Sequence, residues 1–225
     1  MTLAQLISAY RTDANDKAVP YFASDDEVTG WLNEAQDEAA IRGRLLHEGA
    51  NPDVCRSDVT PGTAVYPLHP SLYELTYAAF VSDDDGTTTR LRIVSTEMLD
   101  AIFTDWRTMT GDPLYAVQGD TSLRLVPAPD TTGELVLEGY RTAVSPMTLT
   151  AKESDAPEIN ALHHRHLVDW ALFRGFSIPD SEAFDPNRAA IAESAFSRYF
   201  GLRPDADLRR ITREDVPQVV EAFWI

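Results

Sequence analysis

The sequence predicts an α+β protein. Both ends of the chain form a helical domain (residues 1–50 and 150–201), a β-rich insertion fills residues 51–149, and an extended C-terminal arm follows (202–225). Three observations carry this reading. Apolar residues recur at helical spacing behind capping pairs near both ends. Period-two alternation broken by turn sequences occupies the middle. Gly201, Pro204 and Pro217 interrupt the helical pattern before the last residues.

Thr2 with Gln5 forms a capping box before Leu3, Leu6, Ile7 and Tyr10, and Ser24 with Glu27 another before Val28, Trp31, Leu32, Ala35 and Ala39. Helices are expected near 2–12 and 25–44, joined by a polar connection that holds Pro20. Leu72 to Val81 is an apolar, aromatic-rich strand, and Asp83-Asp84-Asp85-Gly86 turns it back into Thr87 to Val94 as a hairpin. Leu123 and Leu125 flank Arg124 on one strand, and Leu135 and Leu137 alternate on the next. Pro127 to Gly133 separates them in the same manner. A short helix capped by Ser95, with Met98, Leu99 and Ile102 as its stripe, interrupts the strands. Asp155 and Glu158 read as a capping pair for a helix through Ile159, Leu162, His166, Trp170 and Phe173 to about Ser177. Asp185-Pro186 opens another, with Ile191, Ala195, Phe196 and Tyr199 as its buried stripe.

Charge excludes a class of function. The chain of 225 residues has 19 basic and 36 acidic side chains, net −17, of which −13 falls in residues 1–150. A surface this acidic does not grip nucleic acid by neutralising phosphates. Arg90, Arg92 and Arg124, facing outward on strands, are the strongest local exceptions. Only Lys17 and Lys152 are lysines, which fits coding bias as well as arginine-rich interfaces. No stretch reaches the ~18 apolar residues of a membrane span, and Met1-Thr2-Leu3-Ala4-Gln5 lacks a basic region before an apolar run. Neither membrane nor export is expected, so the cytoplasm is the expected place of synthesis. The one cysteine, Cys55, excludes an internal disulfide.

No pattern reads as an active site, and no cofactor is expected. His163 and His166 lie one turn apart with Asp169 and Glu158 near, but one helix face supplies two metal ligands at best. Packing is therefore the expected role of these histidines. The Asp83 turn would place Val94 where a calcium loop needs a bidentate Glu. The arm is the exception among the surface features. Arg203, Arg209, Arg210 and Arg213 face five acids, leaving it near neutral, and Phe223, Trp224 and Ile225 offer an apolar anchor for a partner.

The order of segments resembles a known family. Trp31-Leu32-Asn33-Glu34-Ala35-Gln36-Asp37-Glu38-Ala39-Ala40 followed by Arg42-Gly43-Arg44-Leu45-Leu46 resembles the second helix of tailed-phage head-to-tail adaptor (head completion, connector) proteins. Tyr66-Pro67-Leu68, Trp106, Gly111-Asp112-Pro113 with Tyr115, Leu123 to Pro129 and Gly133-Glu134-Leu135 resemble that family's inserted β region. Pro157-Glu158-Ile159, His163-His164, Leu167 to Arg174 and Asp180 to Asp185 resemble its later helices. The similarity covers about residues 25–200, and the arm matches nothing.

The resemblance implies a non-enzymatic structural virion protein. It would form a homo-oligomeric ring, a dodecamer, between the portal protein and the tail or neck proteins, after assembly in the host cytoplasm. DNA would pass through the lumen without tight binding, and the arm residues Arg203, Arg209, Arg210, Arg213, Phe223, Trp224 and Ile225 would bind the portal. Two alternatives stay open: a metal-dependent hydrolase using His163, His166 and Asp169, and a cytosolic binding module with a C-terminal docking peptide.

Overall fold

The computed structural model describes residues 1–179 and 181–203. Within them lie six α-helices and two β-sheets, an α+β protein. The chain separates into two compact units, Met1–His47 with Tyr140–Arg203, and Glu48–Gly139.

The first unit is built on four helices: α1 (Leu3–Ala14), α2 (Asp25–Gly43), α5 (Leu167–Phe176) and α6 (Pro186–Phe200). Thr2 and Ser24 close the two expected capping boxes, so α1 and α2 start where their sequences say. Asn15 and Arg44, both left-handed, end them. The core interleaves Leu3, Leu6 and Ile7 of α1, Val28, Leu32, Ala35 and Ala39 of α2, Leu167, Val168 and Ala171 of α5, and Phe196 and Phe200 of α6. Gly175 lets α5 approach α1, because a Cβ there would stand 2.3 Å from the Tyr10 hydroxyl.

Two expectations fail in this unit. The helix predicted from Asp155 begins only at Leu167, after a 3₁₀ turn at His164–His166. The reason lies in α2 and α1, which claim the polar groups a helix there would use. Gln36, 1% exposed, accepts the Glu158 N–H at 2.6 Å. The Asp155 and Lys152 carbonyls receive the free N–H groups of Leu3 and Ala4. The Asp155 carboxylate caps Thr148 instead, and Leu162 is 78% exposed. On α6 the buried face is Ala189, Ala192, Phe196 and Phe200, whereas Ile191 (70%) and Tyr199 (44%) face outward.

The second unit contains two sheets. One has the order β1 (His47–Glu48), β9 (Gly133–Arg141), β4 (Leu72–Ser82), β5 (Thr88–Arg90), with β2 (Arg56–Val59) also on β9. The other runs β3 (Val65–Pro67), β8 (Ser122–Val126), β7 (Tyr115–Gln118), β6 (Arg92–Ile93). The short α3 (Pro52–Cys55) precedes β2, and α4 (Thr96–Ile102) follows β6 with Ser95 as its cap. Leu72, Leu75, Ala78, Leu123, Leu125, Leu135 and Leu137 form the shared core of the insertion. Buried Gln118 ties the sheets together, accepting from Leu75 N–H and donating to the Tyr73 carbonyl, both at 3.1 Å. β4 and β5 make the expected hairpin over Thr88–Arg90, Phe80 opposite Thr89, but Arg92–Ile93 of the strand expected to reach Val94 pairs in parallel with β7 in the other sheet.

β8 and β9 do not pair with each other. β8 lies antiparallel to β7, with Leu125 opposite Ala116, and β9 lies beside β4 in the other sheet. Gly133 fixes this, since its backbone passes so near β4 that a Cβ would sit 2.2 Å from the Val81 carbonyl. On α4, Leu99 is fully buried, but Ile102 at the last turn is 51% exposed.

Candidate functional site

His163 and His166 face the C-terminal half of α6. The His166 ring stacks on Tyr199 with centroids 3.6 Å apart and planes inclined by 18°, and His163 Nδ1 lies 3.2 Å from the Tyr199 hydroxyl. His166 Nδ1 is 3.5 Å from Asp169, whose carboxyl is held above the usual range by burial, against the opposing pull of the His166 hydrogen bond. His164 points elsewhere. It is 4% exposed and spans the Ile159 carbonyl and the Met1 amino group. These imidazoles are engaged in packing and hydrogen bonds, and among the described residues no three His, Cys, Asp or Glu side chains converge on one point.

Other charged candidates are similarly tied. Asp85 accepts from the Thr87 N–H and hydroxyl, which lowers its pKa and closes the hairpin turn. Arg124 lies over the buried Trp106 ring at 5.3 Å and donates to the Arg107 carbonyl. Arg107 covers the same ring at 4.2 Å and grips Asp100, holding that carboxyl below its usual range. Arg124 is thus a support of Trp106 instead of a free outward cation. Arg92 is exposed, and so is Arg90, which lies 5.8 Å from the Tyr77 ring.

Of the proposed arm residues, Arg203 is described. Its side chain is 60% exposed and lies 3.3 Å from Glu38 of α2. Arg209, Arg210, Arg213, Phe223, Trp224 and Ile225 lie outside the described residues.

Two surface features emerge that the sequence did not single out. The first is the connection between α1 and α2. Arg11 and Asp16 are 7% and 3% exposed and form a buried ion pair. Asp16 also accepts the N–H groups of Phe22 and Ala23, and Arg11 reaches Asp25 at 2.8 Å while its guanidinium covers the Tyr21 ring at 4.0 Å. This bracket holds up an apolar tip: Val19 is 80% exposed, Tyr21 44% and Phe22 58%. The readable signal was an Arg in the last turn of α1 with an Asp five residues on, ahead of Val19, Tyr21 and Phe22. The second feature is the outer side of α6, where Ile191 and Tyr199 join Leu162 and Leu202, the latter 81% exposed. Both expose large apolar side chains to solvent.

No helix among the described residues is long and apolar enough to cross a membrane. Comparison with curated proteins returns no match. The SU10 adaptor protein family matches residues 1–220, nearly the whole chain. The chain belongs to the SU10 adaptor protein family, structural adaptors of bacteriophage.

Proposed function

We propose that this protein is a non-enzymatic head-to-tail adaptor of the virion neck. Twelve copies form a ring between the portal protein and the tail, and DNA passes through its lumen. The family match across residues 1–220 carries the reading. Charge supports the passage of DNA: at −17 per chain, a dodecamer holds about 200 formal negative charges, so its lumen repels the duplex and lowers friction. The Glu48–Gly139 unit holds 5 basic against 15 acidic side chains and is the more acidic of the two.

In this reading residues 1–50 and 150–201 form the ring-building domain, 51–149 the insertion, and 202–225 the portal-binding arm. Arg203 starts the arm beside Glu38, and Phe223, Trp224 and Ile225 anchor it.

Mixing the protein with the portal of its own phage tests the proposal, with light scattering and negative-stain images as readouts. A ring stacked on the portal is expected, and persistent 25.0 kDa monomer beside intact portal refutes it. Truncation after Arg203 tests the arm: portal attachment should be lost while the helical unit keeps its melting temperature.

A further inference from the structure

We propose that the apolar tip at residues 19–22 of one copy docks on the outer side of α6 of the next copy. The contact is heterologous and closes the ring, and it rests on the adaptor reading above. The C-terminal end of the α6 surface is separate from the tip on one molecule, whereas its Ile191 end lies one turn from Arg188, which donates to the Asp13 carbonyl at the end of α1 at 2.9 Å. The tip is bonded to the start of α2 through Arg11, Asp16 and Asp25. The C-terminal half of α6 is bonded to the other end of α2, through Arg42 to the Ser197 hydroxyl at 3.0 Å and Arg203 to Glu38. The 13 to 17 residues between Asp25 and those α2 positions separate the tip from the Tyr199 end of α6 by about 20–25 Å along the helix. Unlike patches on one rigid unit generate a ring, whereas a self-complementary patch stops at a dimer.

Shape and charge say why a second copy is the occupant. On α6, Ile191, Ala195, Arg198 and Tyr199 fall within about 100° of arc at 100° per residue. Leu202 follows the helix end at Gly201, and Leu162 precedes His163, whose Nδ1 lies 3.2 Å from the Tyr199 hydroxyl. Leu162, Ile191, Tyr199 and Leu202 are 78%, 70%, 44% and 81% exposed, large apolar side chains that gain from being covered. The rim of this surface carries Arg198 as an exposed cation, with Arg203 beside it on Glu38. The tip has the opposite rim. Asp25, Asp26 and Glu27 open α2 beside it, with Lys17 as the cation in the loop. Chains of net −17 repel one another, so a lateral contact forms where a cation-rimmed face meets an acid-rimmed one. The buried bracket under residues 19–22 fixes the tip before it binds, which removes an ordering cost.

The test uses the full chain with p-benzoylphenylalanine in place of Phe22, assembled on its portal, irradiated, and mapped by mass spectrometry. Cross-links to residues 160–166 or 191–203 of another copy are expected, running as a ladder up to the ring. Arg198→Glu and Asp26→Lys should each lower the yield at least tenfold, and their combination should restore it within threefold. Cross-links that fall only on the portal or elsewhere on the chain, from intact rings, overturn the contact and leave the adaptor reading standing. Absence of any ring from unsubstituted protein overturns both.

Discussion

Asp16→Ala is the substitution that most directly tests how the α1–α2 connection is held. The Asp16 carboxylate has three partners: the Arg11 guanidinium, the Phe22 N–H at 3.0 Å and the Ala23 N–H at 3.4 Å. Deleting it leaves a charged guanidinium at 7% exposure whose Nε already lacks a hydrogen-bond partner among the described residues. Removing one member of a buried pair costs about 3–5 kcal/mol, because the other stays buried and uncompensated. Arg11 keeps Asp25 at 2.8 Å, so the lower end, about 3 kcal/mol, is expected. For a chain of this length that is a fall of about 6–12 °C in melting temperature. Urea denaturation read by hydrogen exchange on peptides from α1 and α2 isolates the unit concerned. Adding Arg11→Met should recover part of the loss, so that the double variant falls short of the summed single costs by about 2 kcal/mol. A single-variant cost below about 1 kcal/mol, or strict additivity, refutes the bracket as the support of the loop.

Gly133→Ala should destabilise the β unit by about 2 kcal/mol or more, since its Cβ meets backbone that cannot yield; unchanged exchange in β4 and β9 counts against this. Ile191→Gln should change the stability of the isolated protein by less than about 0.5 kcal/mol, as expected for a side chain 70% exposed, and a core-sized loss by thermal melt contradicts that placement. Asp169→Asn should melt higher than the parent at pH 7. Burial raises the folded pKa of Asp169 above 3.8, so ionisation costs the fold near neutrality and costs nothing below the unfolded value. The gain of the variant therefore shrinks as pH falls to about 3, and a gain that grows toward acid pH refutes the assignment.

Much of this architecture was legible because local chemistry and tertiary packing agree. The capping boxes at Thr2 and Ser24, the Ser95 cap, the Asp185-Pro186 start of α6 and the Asp83 turn each close with neighbours in sequence, so no distant residue is needed to read them. The failures share the opposite property. The helix expected from Asp155 has its Glu158 N–H taken by Gln36 and its Asp155 carbonyl by the Leu3 N–H, both more than a hundred residues earlier in the chain. On α6, Ile191 and Phe196 both look like core residues, and only α2 and α5 decide that the helix turns Phe196 inward. The separation of β8 from β9 hangs on one close backbone passage at Gly133, which no periodicity reveals. The histidine row was weighed as a metal site and the loop before α2 as a plain connection. The same blindness explains both, since what a polar side chain does depends on partners such as Tyr199 and Phe22 that sequence spacing cannot bring together.

The uneven charge sets a constraint on any assembly of this chain. The Glu48–Gly139 unit is −10, whereas the helical unit, with 11 basic and 16 acidic side chains, is −5. Within the helical unit many arginines are spent internally, Arg11 on Asp16 and Asp25, Arg42 on Glu38, Arg141 on Glu158 and Arg165 on Asp13. A cation already paired contributes little to attraction between copies, and Arg203 too is paired, with Glu38, so Arg198, exposed beside apolar surface on α6, is the cation with most to offer a second copy. Contacts of that kind are screened within about 8 Å at physiological ionic strength, while the apolar part is not. Added salt should therefore speed the encounter of these like-charged copies by screening their repulsion, and assembly that instead slows steeply with salt would place the Arg198 ion pairs, not the repulsion between copies, in control.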